Sequence, residues 1–262
     1  MTARDGLTAV LDALALPPEA RVGARVAKKT FLDNTRFAAA DRRALDAGIE
    51  ELTWVAKLSP ATIGVAAGPR YSELHVLSLR VKPAAKLPRV IDLVHRGPAY
   101  PVFLATAAAD GLVTASAGHV RPAANDSSRV VADEPVVPRF FDAKARDETT
   151  VGFLRSLALD AIRPATLDAL ADAWLDRLGS LDACRLVGGW PARAALGSSA
   201  ALRELRARHE ELSRELDALT RAAKRQRQTN RLVDANLARQ RLAAERRAVL
   251  RRLAALVNGE AE

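Results

Sequence analysis

The chain has 262 residues and a formal net charge of +9, which allows one fair-sized domain with an appendage or two small domains. Its single cysteine, Cys184, excludes a disulfide framework and a thiolate metal site, so a reducing, cytoplasmic setting is expected. No apolar run reaches the roughly 18 residues of a membrane span, the N-terminal stretch carries acids where a signal peptide would be apolar, and the aromatic content of 4% leaves the core to Ala, Leu and Val.

Residues 3 to 15 read as an amphipathic helix with Leu7, Val10, Leu11 and Leu14 on one face, ended by Pro17 and Pro18. Residues 41 to 56 read as a second helix, capped by Asp41 and carrying Leu45, Ile49, Leu52 and Val55. The period then shortens. Thr62 to Ala66 reads as a short strand, Gly68-Pro69 as a turn, and Glu73 to Lys82 as a second strand. Residues 86 to 96 return to helix through Val90, Ile91, Leu93 and Val94. The segment from Pro101 to Val120 reads as a hairpin turning at Asp110-Gly111, and Ser127 to Val137 as a further strand.

Beyond that point the pattern is helical. Segments at 150 to 162 and 165 to 187 are separated by Arg163-Pro164 and stopped by Gly188-Gly189. A linker ends at Gly197-Ser198-Ser199. Residues 200 to 257 contain neither Gly nor Pro, and Leu202, Leu205, Leu212, Leu216 and Leu219 fall at heptad positions. The seam turns polar at Gln226 and Asn230. Two shapes fit: one continuous helix of about 85 Å, or a helical hairpin bending there.

Residues 219 to 252 hold eleven basic residues (Arg221, Lys224, Arg225, Arg227, Arg231, Arg239, Arg241, Arg246, Arg247, Arg251, Arg252) against Asp234 and Glu245. The surplus of nine is the net charge of the whole chain, so the other 29 basic residues are matched by 29 acids. A merely solvated helix alternates sign to gain pairs at i,i+4, as residues 203 to 217 do. The one-sided stretch points to a polyanion or to an acidic protein surface.

The chemical candidates are sparse. His75, His95, His119 and His209 stand at no helical metal-ligand spacing, and no phosphate-binding glycine loop or nucleophile elbow occurs. Cys184, with no His near it in sequence, reads as a core residue. The order helix, strand pair, helix, strand also occurs in metal-dependent nucleases of restriction-endonuclease type. Those place an acid and then an acid-x-Lys on neighbouring strands to hold magnesium. Here Glu73-Leu-His75 stands in place of that motif. A divergent nuclease would have to use Glu73, Asp92 or the acids near Asp133.

Several segments share one further feature. They are Val26 to Phe31, Ile49 to Ile63 with its Trp54-x-x-Lys57-Leu58-Ser59-Pro60, the strand from Glu73, Ile91-Asp92 followed by Tyr100-Pro101-x-Phe103, and Gln228 to Leu237. Together they resemble the bacterial domain of unknown function numbered 4391, from about residue 20 to the C-terminus. The resemblance implies an accessory component encoded beside DNA methyltransferases and helicases in defence islands. It supplies no catalytic residues. Family members often keep acids and lysines along the second strand, where this chain has Leu, Ser and Arg. Trp54 and Tyr100, each near a proline, read as corner-fixing residues.

The expected fold is therefore an α/β (α+β) domain at 1–197, with a mixed, largely antiparallel sheet flanked by helices. A basic coiled-coil helix or helical hairpin follows at 198–262. The expected function is a non-enzymatic adaptor of an antiphage or restriction-type complex, needing no cofactor or metal and making no membrane contact. It would engage DNA, or a helicase or methyltransferase subunit, through Arg221, Lys224, Arg225, Arg227, Arg231, Arg239, Arg241, Arg246 and Arg247. The alternatives are the divergent nuclease and a structural homo-oligomer joined through the C-terminal helix.

Overall fold

A computed structural model describes residues 3–27, 29, 31, 37–83, 85–123, 126–191, 199–225 and 229–260. The chain divides into two compact units, Met1–Leu178 and Gly179–Glu262. The first is built on a five-stranded sheet in sequential order: β1 (Arg21–Arg25), β2 (Ile49–Leu58), β3 (Leu74–Val81), β4 (Val102–Ala107) and β5 (Val113–Ala117). Every neighbouring pair is antiparallel except β3 and β4, which run parallel. The sheet is thus mixed and largely antiparallel, as the sequence predicts.

Helix α1 (Ala3–Ala13) precedes the sheet, and α2 (Ala39–Gly48) leads into β2. A short helix, α3 (Pro60–Ile63), follows β2, and α4 (Leu87–Arg96) makes the crossover between β3 and β4. The crossover helix has Pro88 in its first turn, where a missing N–H costs nothing, and it buries Val90, Ile91, Leu93 and Val94. These pack with Leu45 and Ile49 against Leu52, Leu77, Leu79, Val102 and Leu104, forming the core on one face of the sheet. Strand alternation sends Phe103 to the other face, where it meets Trp174 with ring centroids 4.9 Å apart. Trp174 belongs to α7 (Leu167–Val187), which follows α5 (Glu148–Ser156) and α6 (Leu159–Ile162). A separate two-stranded sheet pairs β6 (Val120–Ala123) with β7 (Asp126–Ala132).

Three local expectations are corrected. The helix expected over 41–56 stops at Gly48, and Ile49–Leu58 is strand β2. Its pairing with β3 shifts register between Ile49 and Glu51 and again between Trp54 and Ala56. The first irregularity inserts a residue and reverses the alternation, so Ile49 and Leu52 face the same core at helical spacing on an extended chain, while after the second Ala56 pairs with Val76 on the other face. The strand expected over Thr62–Ala66 is instead the single helical turn α3. Ser59 and Thr62 close a capping box on it, and Gly64 ends it in the left-handed conformation. The hairpin after β4 turns through three residues rather than two. Ala108 N–H bonds to Leu112 O and Gly111 N–H to Ala108 O, so only Gly111 (φ +90°) needs the left-handed region.

The second unit contains the α7 residues from Gly179 onward with α8 (Ser199–Arg225) and α9 (Thr229–Asn258). Leu202 shares a buried cluster with Leu253 and Val257, and Arg208 pairs with Glu245. Those contacts require α8 and α9 to run antiparallel, which favours the hairpin over one continuous rod. Ala183 and Cys184 of α7 complete the cluster. The linker expected near Gly197-Ser198 and the polar seam residue Gln226 lie outside the described residues.

His95 provides a test of the first unit. It is buried on α4, with Nε2 2.8 Å from the Ser116 hydroxyl on β5. Burial lowers its pKa from 6.5 to about 4. Between those values the unfolded chain binds a proton that the folded chain does not. The contribution to stability is therefore complete above about pH 6.5 and is lost as pH falls toward 4. The full difference is on the order of 3 kcal/mol. Urea unfolding at several pH values should show a steeper loss of stability below about pH 6.5 in the wild type than in His95→Gln. Equal slopes would refute the assignment.

Candidate functional site

The basic helices were singled out by charge alone, and the structure shows how that charge is partnered. On α8 the alternating region is largely neutralised. Arg206 reaches Asp182 at 2.6 Å, and Arg208 reaches both Glu211 and Glu245 at 2.6 Å. Glu245 is one of only two acids inside the basic stretch, and it is engaged by an arginine from outside it. That leaves the exposed Asp234 as the single acid against eleven basic residues. Arg221, Arg241 and Arg247 are exposed, and Arg239 touches only the Asn236 amide, at 3.4 Å. Arg246 is half-buried beside His209, whose pKa is lowered by burial and then by that neighbouring charge. Among the described residues, none of these five arginines has a carboxylate within ion-pair distance. Lys224, Arg225 and Arg231 fall on the two helices, and Arg227 lies outside the described residues.

The acids considered for metal-dependent cleavage are not brought together. Glu73 pairs with Lys57 at 2.5 Å, Asp92 with Arg89 at 3.0 Å and Arg96 at 2.9 Å, and Asp133 with Arg121 at 3.0 Å. Among the described residues no group of three His, Cys, Asp or Glu side chains could hold a metal ion. Among the described residues no helix is long and apolar enough to cross a membrane. An open cleft of about 580 Å³ lies between α4 and residues 134–140, with Asp92, Arg96 and Glu134 beside Leu87, Ile91 and Phe140.

Two constellations escape sequence reasoning because only tertiary contacts assemble them. In the first, Trp54 on β2, His75 on β3 and Tyr100 just ahead of β4 stack in a row. Centroids lie 5.0 Å apart for Trp54–His75 and 4.8 Å for His75–Tyr100. Lys57 stands directly across from His75 in the β2–β3 register. Glu73 joins them, with its second oxygen 3.1 Å from His75 Nε2. Burial opposes the Glu73 charge, but hydrogen bonds from Lys57 and His75 outweigh it and hold its pKa below the ordinary carboxylate value. Burial lowers the pKa of His75, so at neutral pH its imidazole is uncharged. Trp54 therefore lies inside a strand, not at the helix end expected of it. Its indole N–H donates to the Ala56 carbonyl across the second register shift.

In the second constellation the Tyr71 hydroxyl lies 2.9 Å from His119 Nδ1, and His119 Nε2 lies 3.3 Å from Asp172. Asp168 accepts the backbone N–H groups of Arg70 and Tyr71 at 3.0 and 2.9 Å. A Cβ at Gly68 would overlap that carboxylate, so glycine permits the close approach of loop to helix. This network ties the loop before β3 to α7.

Cys184 is no nucleophile in this setting. It is fully buried, and burial pushes its thiol up to about 12. A disulfide-exchange reagent at neutral pH should label it about a thousandfold or more slowly in the folded protein than in denaturant. Rapid labelling of the folded chain would show that the helix cluster around it opens freely.

No curated protein and no solved structure matches the chain. One family does, described as "Domain of unknown function (DUF4391)", over residues 14–245. That span takes in the whole five-stranded sheet, the ring row and most of the basic helix pair. The chain belongs to this family of domains of unknown function.

Proposed function

We propose that the protein is a non-enzymatic accessory subunit that binds a polyanion, duplex DNA first among them, through the arginines of α8 and α9. The observation that carries this reading is the imbalance on those helices. Five arginines lack a carboxylate partner among the described residues, and Glu245 is spent on Arg208. Leaving so many like charges unpaired is unfavourable for the isolated helices, and phosphates or acidic side chains would relieve the repulsion. The separate ion pairing of Glu73, Asp92 and Asp133 gives the divergent-nuclease alternative no assembled centre. The setting in an antiphage or restriction-type complex, with a helicase or methyltransferase partner, is the part of the proposal that follows from the resemblance.

A second reading rests on Val233 and Leu237, which are 53% and 48% exposed on α9. Phosphate contacts have no use for aliphatic side chains, whereas an acidic protein surface with an apolar centre would cover them. A second copy of the chain would leave the arginines facing each other, so the homo-oligomer is the least favoured occupant.

The test compares the full chain with a variant carrying Arg221→Ala, Arg239→Ala, Arg241→Ala and Arg247→Ala. Truncation at Ser198 is unsuitable because it would strip Ala183 and Cys184 of their packing. Fluorescence anisotropy with a DNA duplex should show affinity falling about a hundredfold between roughly 50 and 200 mM salt, if about four phosphates are contacted. The variant should bind more weakly and with a salt slope reduced by about 3 to 4. Absence of duplex binding at the lower salt would overturn the DNA reading and leave the acidic protein partner.

A further inference from the structure

We propose that the Trp54–His75–Tyr100 row is a stacking platform for an unpaired base of single-stranded nucleic acid. The proposal goes beyond the helix arginines and concerns a different part of the molecule.

Three planar side chains from three neighbouring strand positions lie in one column, inclined by 27° and 29° to their neighbours. This is near-parallel stacking continued over three rings, one of the arrangements that aromatic pairs favour. Strand register sets the row. Lys57 opposes His75 across β2 and β3, and the His75 N–H donates to the carbonyl of Pro101, immediately after Tyr100, at 3.0 Å. The column is anchored at one end by the bond from Trp54 to Ala56. At the other end Tyr100 is 42% exposed, whereas His75 in the middle is largely covered. A large aromatic side chain is thus presented to solvent on a rigid, stacked support. Trp54 packs against the apolar core at the inner end of the row, and among the described residues Tyr100 at the outer end makes no hydrogen bond through its hydroxyl that would explain the position.

The charges beside the row suit a base better than a free hydrophobic ligand. Lys57 keeps a side chain 42% exposed while paired with Glu73, and its ammonium is close enough to Tyr100 for the two to interact electrostatically. The Lys57 ammonium offers a donor, and the exposed Tyr100 hydroxyl can donate or accept, at the edge of the platform. Those are the two functions needed to meet the carbonyl and amino groups on the edge of a base. The ion pair and the neutral imidazole leave the platform with no net charge, so binding here would depend on stacking and tolerate salt. A base inside a duplex has no free face to offer, which restricts the partner to an unpaired strand.

The experiment uses the full chain and single-stranded oligonucleotides of about 12 nucleotides, within the length one binding fold covers. One is a thymine run with a central 2-aminopurine, and the other has the same backbone with abasic sites. The base-bearing strand should bind roughly tenfold or more tightly than the abasic one, and the 2-aminopurine fluorescence should be quenched on binding. That preference should persist near 1 M salt, where phosphate contacts are screened. Tyr100→Phe should preserve it and Tyr100→Ala should abolish it. Equal binding of the two strands by the wild-type protein overturns the platform without reliance on any variant, as does a preference unchanged in Tyr100→Ala. The four-alanine helix variant separates the two proposals. Loss of duplex binding with the base preference intact supports both, and intact duplex binding with the base preference intact removes only the helix reading.

Discussion

Two adjacent parallel strands cannot be joined by a tight turn, and the pairing of β3 with β4 follows that constraint through α4. The crossover must lie on one face of the sheet, so β3 and β4 are buried on both faces once α1 and α7 cover the other. All six residues of β4 are buried, which is why Val102-Phe-Leu-Ala-Thr-Ala reads as an unbroken apolar run. The same constraint fixes His95, the penultimate residue of α4, against Ser116 on the strand beyond β4. It also sets where β4 begins, and hence where Tyr100 stands relative to His75. The ring row is a consequence of the parallel pair, together with the irregular register of β2.

With only 4% aromatic residues, most of the chain packs with aliphatic side chains, and the rings it has are concentrated. Phe103 and Trp174 form one contact, Phe141 and Phe153 another, and both knit the later helices or loops to the sheet. Rings carry more buried area per residue than Leu or Val and so tie distant segments with few contacts. Trp54, His75 and Tyr100 differ in kind. They form a column that starts at Trp54 against the apolar core and ends at solvent, with an ion pair alongside. The Tyr71, His119 and Asp172 network differs again, because its hydrogen bonds close on the protein.

Features that depend on neighbours in sequence were legible in it. The crossover helix, the strand from Glu73, the long helix from 165 and the absence of breakers after 200 follow from period, proline and glycine, and each stands within a few residues of its expected place. Charge clustering needs no tertiary knowledge either. Strand β2 was not legible, because the helix spaced Leu45 from Ile49 and one register irregularity spaced Ile49 from Leu52, giving all three the spacing of a helix face while the backbone changed from helix to strand at Ile49. The corner at Ser59-Pro60 was misread for a related reason. Thr62 has a strand-forming side chain, but its hydroxyl caps a helical turn by accepting the Ser59 N–H at 2.8 Å. The ring row was beyond reach because residues 54, 75 and 100 meet only through register. The segments carrying the family resemblance nonetheless named Trp54, Lys57, Glu73 and Tyr100, and the structure gathers those four around His75.

The two units solve the problem of charge in opposite ways. In the first, acids and bases are matched locally: Glu73 with Lys57, Asp92 with Arg89 and Arg96, Asp168 and Asp172 with Arg70. Each of these carboxylates has a basic partner a few ångströms away, and among the described residues no cluster could ligate a metal. In the second, the ion pairs gather on Arg206 and Arg208 of α8, which take Asp182, Glu211 and Glu245. Since Glu245 bonds across the helix pair to Arg208, the contact that helps to align α9 with α8 also removes a counter-charge from the arginines around it. Alignment of the pair and exposure of uncompensated positive charge are therefore coupled through one carboxylate. A helix pair built for stability alone would gain by placing acids opposite Arg241 and Arg247, and that imbalance is the observation on which the proposed partner binding rests.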